Sequence, residues 1–309
     1  MSTQQQQGVG GLAGIPVANL TNWSPQRELQ DRSTSAGPAL ATNGGTLCMA
    51  WRGTGQNNIW VSVSHDNGQT WSPQQELRDR STRNNPALCC TDGKFAMAWR
   101  GLDQDNIWVS VSSDGLNWSP QQELSDRATQ SGPALSGVGG LFVMAWRGRD
   151  QNNIWVATST DGLNWSPQKE LSDRATQDGP AITGTVQDPS GRKFVMLWRG
   201  LDQNNLWVSQ SNDGLNWTPQ QELRDRATSS NPAVTHSDQL GVFYSAWRGL
   251  DQANIFVSTS QDGITWTPQT ELQDRSTNSG PAVTPAGGSL YMIWRGSGQD
   301  NIWTSILLS

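Results

Sequence analysis

Trp71-Ser72-Pro73-Gln74-Gln75-Glu76-Leu77-Arg78-Asp79-Arg80-Ser81-Thr82 is one copy of a phrase that recurs along the whole chain. In general form it reads W-[ST]-P-Q-x-E-L-x-D-R-[SA]-T. It opens at Trp23, Trp71, Trp118, Trp165, Trp217 and Trp266, at spacings of 48, 47, 47, 52 and 49 residues. Each copy is followed by [GN]-P-A-[LIV], a variable stretch, an apolar run ending in W-R-G, and then Q-x-N-[IL]-[WF]. Self-similarity at such a period is the signature of a repeat architecture, and it accounts for 17 tryptophans against 2 tyrosines and 5 phenylalanines.

Within a unit the apolar spacing is two. Leu47-Cys48-Met49-Ala50-Trp51 and Ile59-Trp60-Val61-Ser62-Val63 alternate along short runs, bounded by Gly, Asn and Asp turns. That is strand chemistry. Each unit supplies four strands: Pro38 to Leu40, a run up to Trp51, Ile59 to Ser64, and Trp71 to Leu77. Four strands per unit of this length make a propeller blade, because a β-helix rung is usually shorter.

The ends of the chain fit one another. Asn301-Ile302-Trp303-Thr304-Ser305 is a third strand with no fourth, and Asn22-Trp23-Ser24-Pro25-Gln26 is a fourth strand with no predecessors. The expected fold is all-β: a six-bladed β-propeller of four-stranded antiparallel blades, closed by the N-terminal strand pairing into the last blade. Residues 1–19 read as a flexible N-terminal segment and 20–309 as one propeller. The blades span approximately 37–77, 85–124, 132–171, 179–223, 231–272, and 280–309 plus 20–29.

With 27 acidic against 21 basic residues and a net charge of −6, the chain has no basic stripe for a phosphate backbone or an anionic membrane. No apolar run is long enough to span a bilayer. Residues 1–20 lack a basic region followed by an apolar one, which points to a cytoplasmic protein or one exported without a signal peptide. Cys48, Cys89 and Cys90 have neither disulfide-framework nor metal-ligand spacing and read as small buried side chains. No cofactor or metal is expected, and nothing in the sequence speaks to oligomeric state. The Asn-Trp-Ser and Asn-Trp-Thr triplets, such as Asn117-Trp118-Ser119, read as turn residues rather than glycosylation acceptors.

In an up-and-down ring the 4→1 and 2→3 connections share one face. The connections of the opposite face vary freely, from Thr42-Asn43-Gly44-Gly45 to the insertion between Thr183 and Lys193. The 4→1 and 2→3 connections instead repeat six times, although duplication alone would spare all loops equally. The repeated residues are Asp31/Arg32, Asp79/Arg80, Asp126/Arg127, Asp173/Arg174, Asp225/Arg226 and Asp274/Arg275, with Arg52, Arg100, Arg147, Arg199, Arg248 and Arg295 of W-R-G. Beside them stand Gln56, Gln104, Gln151, Gln203, Gln252 and Gln299, and the third-strand aromatics Trp60, Trp108, Trp155, Trp207, Phe256 and Trp303.

Two roles suit this set. Asp-Arg pairs can staple neighbouring blades while Gln and Asn close their own turns. Alternatively, each blade junction forms a sugar site. An aromatic plane takes the apolar C–H face of a sugar ring, and planar polar groups take its hydroxyls. Trp51 and its equivalents read as core. His65 and His236 have no equivalents in other units and read as surface residues.

The turn Ser64-His65-Asp66-Asn67-Gly68-Gln69-Thr70-Trp71 resembles the Asp-box, S-x-D-x-G-x-x-W, of sialidases and several lectins. The next four units carry a form one residue shorter, such as Ser112-Ser113-Asp114-Gly115-Leu116-Asn117-Trp118. After about residue 20 the whole chain resembles propeller lectins, in particular the bacterial PLL-type family and more loosely the six-bladed fungal fucose lectins. The resemblance implies a carbohydrate-binding protein with glycan partners, recognising L-fucose, O-methylated sugars or related glycans, and a structural role for the turn aspartates. Six equivalent sites make it multivalent. An enzyme is not expected. A sialidase-like site needs one asymmetric constellation, whereas here the arginines recur at equivalent places, Tyr244 and Tyr291 sit inside strand runs, and Glu28, Glu76, Glu123, Glu170, Glu222 and Glu271 share one slot. A protein-interaction scaffold is the other alternative, although such a surface is expected to differ from blade to blade.

Overall fold

The computed structural model describes residues 20–187 and 191–308, so the expected flexible segment 1–19 lies outside the described residues. The described chain is all strand and turn. Blade I comprises Ala39–Thr42, Leu47–Arg52, Asn58–Ser64 and Gln75–Ser81, antiparallel in sequence order. Blades II to V repeat this over 87–128, 134–175, 181–227 and 233–276. Blade VI takes three strands from 282–306 and its outermost strand, Arg27–Ser33, from the other end of the chain. The first strands of the six sheets contact one another in cyclic order, VI against I included, so the ring is closed.

The core lies between blades. Trp51, Trp99, Trp146, Trp198, Trp247 and Trp294 stand next to last in the second strands and are at most 1% exposed. Each cluster joins one blade to the next, as Ile59, Val61 and Leu77 of blade I do with Phe95, Met97 and Trp99 of blade II. An indole that buries roughly 200 Å² contributes about 5 kcal/mol at about 25 cal/mol per Å². Around the axis the first strands leave a channel of about 180 Å³. His236 lines it and packs on Phe243 at 4.5 Å, its side chain only 11% exposed. This corrects its reading as a surface residue: it stands on a first strand, and in a ring that strand faces the channel. Cys48 and Cys89 are buried, and burial pushes the half-buried Cys90 thiol up to about 12.

The outermost strand begins later and ends later than the sequence suggested. Pro73 has no N–H to give the ladder, so regular pairing starts at Gln75 rather than Trp71. Ile59 pairs with Leu77, but the neighbouring Asn58 pairs with Ser81, so Arg78-Asp79-Arg80 form a bulge. The same bulge recurs in all six blades. Asp-Arg therefore stands on a strand and not on the following loop. Beyond the bulge, Thr82 is fully buried, donates its N–H to Asn57 O of blade I, and bridges to Gly101 of blade II.

Two buried tyrosines latch the seam. Tyr244 of blade V accepts a hydrogen bond from Trp23 Nε1 and donates one to Leu20 O, both at 3.0 Å. Tyr291 of blade VI accepts from Trp71 Nε1 at 3.3 Å and donates to Gly68 O of blade I at 3.1 Å. Near the axis the loops entering neighbouring blades touch: a Cβ on Gly179 would lie 2.4 Å from Gly132 O.

Candidate functional site

Each outward bulge separates the two members of Asp-Arg. The six arginines turn inward and are buried. Arg80 Nη2 donates to Ser119 O and Ser110 Oγ of blade II, at 2.5 and 3.4 Å. Arg32, Arg127, Arg174, Arg226 and Arg275 each reach the equivalent carbonyl of the following blade. Burial lowers the pKa of Arg80, and Asp79 opposes that shift through a 2.9 Å ion pair. The aspartates point out, their side chains 56–58% exposed.

The W-R-G arginines tie loops. Arg52 Nε and Nη2 donate to Asn57 Oδ1 at 3.1 and 2.5 Å, and Nη1 donates to Arg83 O at 2.8 Å. Arg100, Arg147, Arg199 and Arg295 repeat the bond to the residue five positions on. At Arg248 that residue is Ala253, so its Nε donates to Thr277 O instead.

The glycine of W-R-G makes room for the third-strand aromatic. A Cβ on Gly53 would stand 2.6 Å from Trp60 Nε1, so the indole lies directly over the backbone. Trp60, Trp108, Trp155, Trp207, Phe256 and Trp303 are all half-buried. Trp60 faces Trp51 on one neighbouring strand and Glu76 on the other, so a carboxylate-bearing residue is its cross-strand neighbour. Asn58 Nδ2 holds Glu76 Oε1 at 2.5 Å, and all six glutamates are held in this way by the corresponding asparagine.

Between blades I and II these groups form a cleft of about 300 Å³, lined by Asp79 and Ser81 from one blade and Trp99, Gly101, Leu102, Asp103, Gln104, Trp108, Gln121 and Glu123 from the next. Between blades III and IV the equivalent cleft is about 280 Å³ and includes Asp173, Gln203, Trp207 and Gln220. Here the structure brings together the Asp of Asp-Arg, the Gln of the 2→3 loop and the third-strand Trp. Neither arginine set lines these two clefts. Gln56, Gln151, Gln252 and Gln299 are exposed at the same loop position in the other blades.

Sequence reasoning missed the cleft's frame. Gln121 Nε2 donates to Asp79 O of the preceding blade at 2.6 Å. Gln26, Gln74, Gln168, Gln220 and Gln269 do the same. The signal was present, since Pro-Gln and Glu recur in the repeated phrase as strictly as Asp-Arg. A third pocket of about 290 Å³, at the seam beside Leu20, Val257 and Pro268, is mainly apolar and lacks the repeated set.

On the opposite end of the ring the 3→4 turns are closed by carboxylates. Asp66 accepts from Thr70 Oγ1 and N and from Ser64 Oγ, which holds its pKa at about 2. Burial alone would raise Asp114, but the N–H groups of Asn117 and Leu116 outweigh it and bring it also to about 2. These aspartates fasten turns. Among the described residues no cluster of three or more His, Cys, Asp or Glu is placed to hold a metal ion, and no helix is long and apolar enough to cross a membrane.

No known protein family and no curated protein matches the sequence. Solved structures do match in fold. An α-L-arabinanase of Penicillium chrysogenum, complexed with arabinobiose, superposes with a TM-score of 0.62 at 16% identity, covering 93% of this chain and 97% of that one. A lectin of Aleuria aurantia, complexed with α-methyl-L-fucoside, has a TM-score of 0.61 at 12% identity over 91% and 93%. A sialidase of Trypanosoma rangeli has a TM-score of 0.61 at 13% identity over 90% of this chain and 55% of its own. At these identities the likeness establishes the propeller fold. It also corrects the expectation that the chain is not an enzyme. These similar structures are mostly glycosidases, so the architecture is one that hosts catalysis as well as binding, and regular repetition is no ground for excluding it.

Proposed function

We propose that the chain is a multivalent carbohydrate-binding protein whose sites are the inter-blade clefts, with L-fucose and O-methylated sugars as first candidates. The observation behind this reading is a half-buried indole set among carboxylate and carboxamide groups, at the same place in two blade junctions, I–II and III–IV. The indole offers a flat apolar face to a sugar ring's C–H groups, with aspartate and glutamate oxygens beside it to accept from hydroxyls. In this reading both arginine sets support the site from behind. The binding of α-methyl-L-fucoside and arabinobiose by structurally similar propellers supports a glycan ligand. A rigid ring of weak sites gains by avidity on a surface displaying many copies of one sugar.

The test is a glycan array of neutral and acidic glycans, probed with the labelled protein and followed over time. Retention on a narrow set of terminal neutral sugars is the expected result. Silence across the array at high protein concentration refutes the reading. Progressive loss of a probed glycan assigns hydrolysis in addition to binding.

A further inference from the structure

The 2→3 loops keep one length but come in different kinds. Blades II and IV carry Gly101-Leu102-Asp103-Gln104 and Gly200-Leu201-Asp202-Gln203, and in both the Leu and the Asp line the cleft. Blades I and VI carry Gly53-Thr54-Gly55-Gln56 and Gly296-Ser297-Gly298-Gln299. There the second glycine sits at φ +73° and +72°, a left-handed conformation that Asp103 and Asp202 do not adopt. The backbone thus takes another path, and neither an apolar nor an acidic side chain follows Thr54 or Ser297. Ser297 Oγ donates to Asn278 Oδ1 at 3.2 Å.

The other two blades depart in their own ways. In blade III, Arg149 replaces the leucine and its Nε reaches back to Asp105 of blade II at 3.1 Å. Blade V keeps Leu250-Asp251 but has Phe256 for Trp and Ala253 beneath Arg248.

We infer that a Leu-Asp lip standing beside a third-strand Trp decides which clefts hold a sugar tightly, so that the clefts of blades II and IV are the high-affinity sites of the ring, and that of blade V, which keeps the lip but has Phe256, is not. This rests on the carbohydrate reading above. Leucine gives the cleft a second apolar wall beside the indole, and the aspartate adds an acceptor for a hydroxyl. Charge-assisted hydrogen bonds of this kind strengthen binding by about tenfold or more.

Calorimetric titration with methyl α-L-fucoside, methyl β-D-galactoside and a 2-O-methyl fucoside tests this on the full chain. Two tight sites per chain are expected, with the rest at least about tenfold weaker. Leu102→Thr with Asp103→Gly removes one tight site, and the same pair of changes at Leu201 and Asp202 removes the other. Asp103→Ala alone, a milder change on an exposed loop, weakens its site without altering the melting temperature. Six equal sites, or a stoichiometry that survives both loop changes, overturns the inference and leaves the carbohydrate reading intact. Failure of the unmodified protein to take up any of the three sugars overturns both.

Discussion

Replacing Tyr244 with phenylalanine removes one oxygen atom from the seam of the ring. That oxygen accepts from Trp23 Nε1 and donates to Leu20 O, and Tyr244 itself is fully buried. Leu20 and Trp23 are 6% and 7% exposed, so little water is at hand to take over either partner. A buried group left without its hydrogen bond costs about 1–3 kcal/mol, which puts the two together at about 2–6 kcal/mol. At about 2.1 cal/mol/K per residue over roughly 290 residues, that lowers the melting temperature by about 3–10 °C. The loss should be local as well as global, because Tyr244 ties down the strand that completes blade VI. Tyr291→Phe is the internal comparison. Its Trp71 partner is half-buried and solvent can replace one bond, so about 1 kcal/mol is expected. Urea unfolding of both variants gives the energies, and limited proteolysis of the N-terminal strand reports release of the seam. A Tyr244→Phe protein within about 0.5 kcal/mol of the parent refutes the latch.

Three further outcomes follow from the same geometry. Arg80→Ala strips two acceptors of blade II of a buried donor and leaves a cavity, so it destabilises by about 2–4 kcal/mol in urea unfolding; an unchanged midpoint contradicts the staple role. Gly179→Ala forces a methyl group to 2.4 Å from Gly132 O, a backbone atom, and costs about 1–3 kcal/mol by the same measurement, whereas Gly93→Ala, with open space but φ +72°, is limited to local backbone strain. The turn carboxylates Asp66, Asp114, Asp213 and Asp262 lie near 2 against an ordinary 3.8. A lowered folded-state pKa contributes stability that is present above about pH 4 and lost as pH falls toward 2. The melting temperature is therefore expected to drop across that window, and a flat profile there removes the turns from the account.

The blades were legible because both the repeat length and the two-residue alternation belong to the chain itself. Closure was legible because the ends carry complementary fractions of a unit. The orientation of Asp-Arg was not. It depends on a bulge that inserts three residues opposite none, and neither Arg78-Asp79-Arg80 nor its equivalents advertise one. Once the bulge is seen, adjacent Asp79 and Arg80 take opposite fates, one at the cleft rim and one under the next blade. His236 reads as a surface residue because it has no equivalent in the other units, and only ring closure makes its first strand a channel wall. The glutamine and glutamate of the cleft frame were readable in principle. The repeat alone does not say that the glutamine reaches the preceding blade, and the shared slot of the glutamates speaks only against an asymmetric catalytic site.

The central claim, that sugars bind at blade junctions against the third-strand aromatics, is tested most directly by a crystal structure of the protein soaked in methyl α-L-fucoside. The account predicts a pyranose lying on the indole of Trp108 and of Trp207, with hydroxyls at the carboxylates of Asp79 and Asp173. A sugar found only in the central channel or at the 3→4 turns, with both clefts holding nothing but solvent, contradicts it.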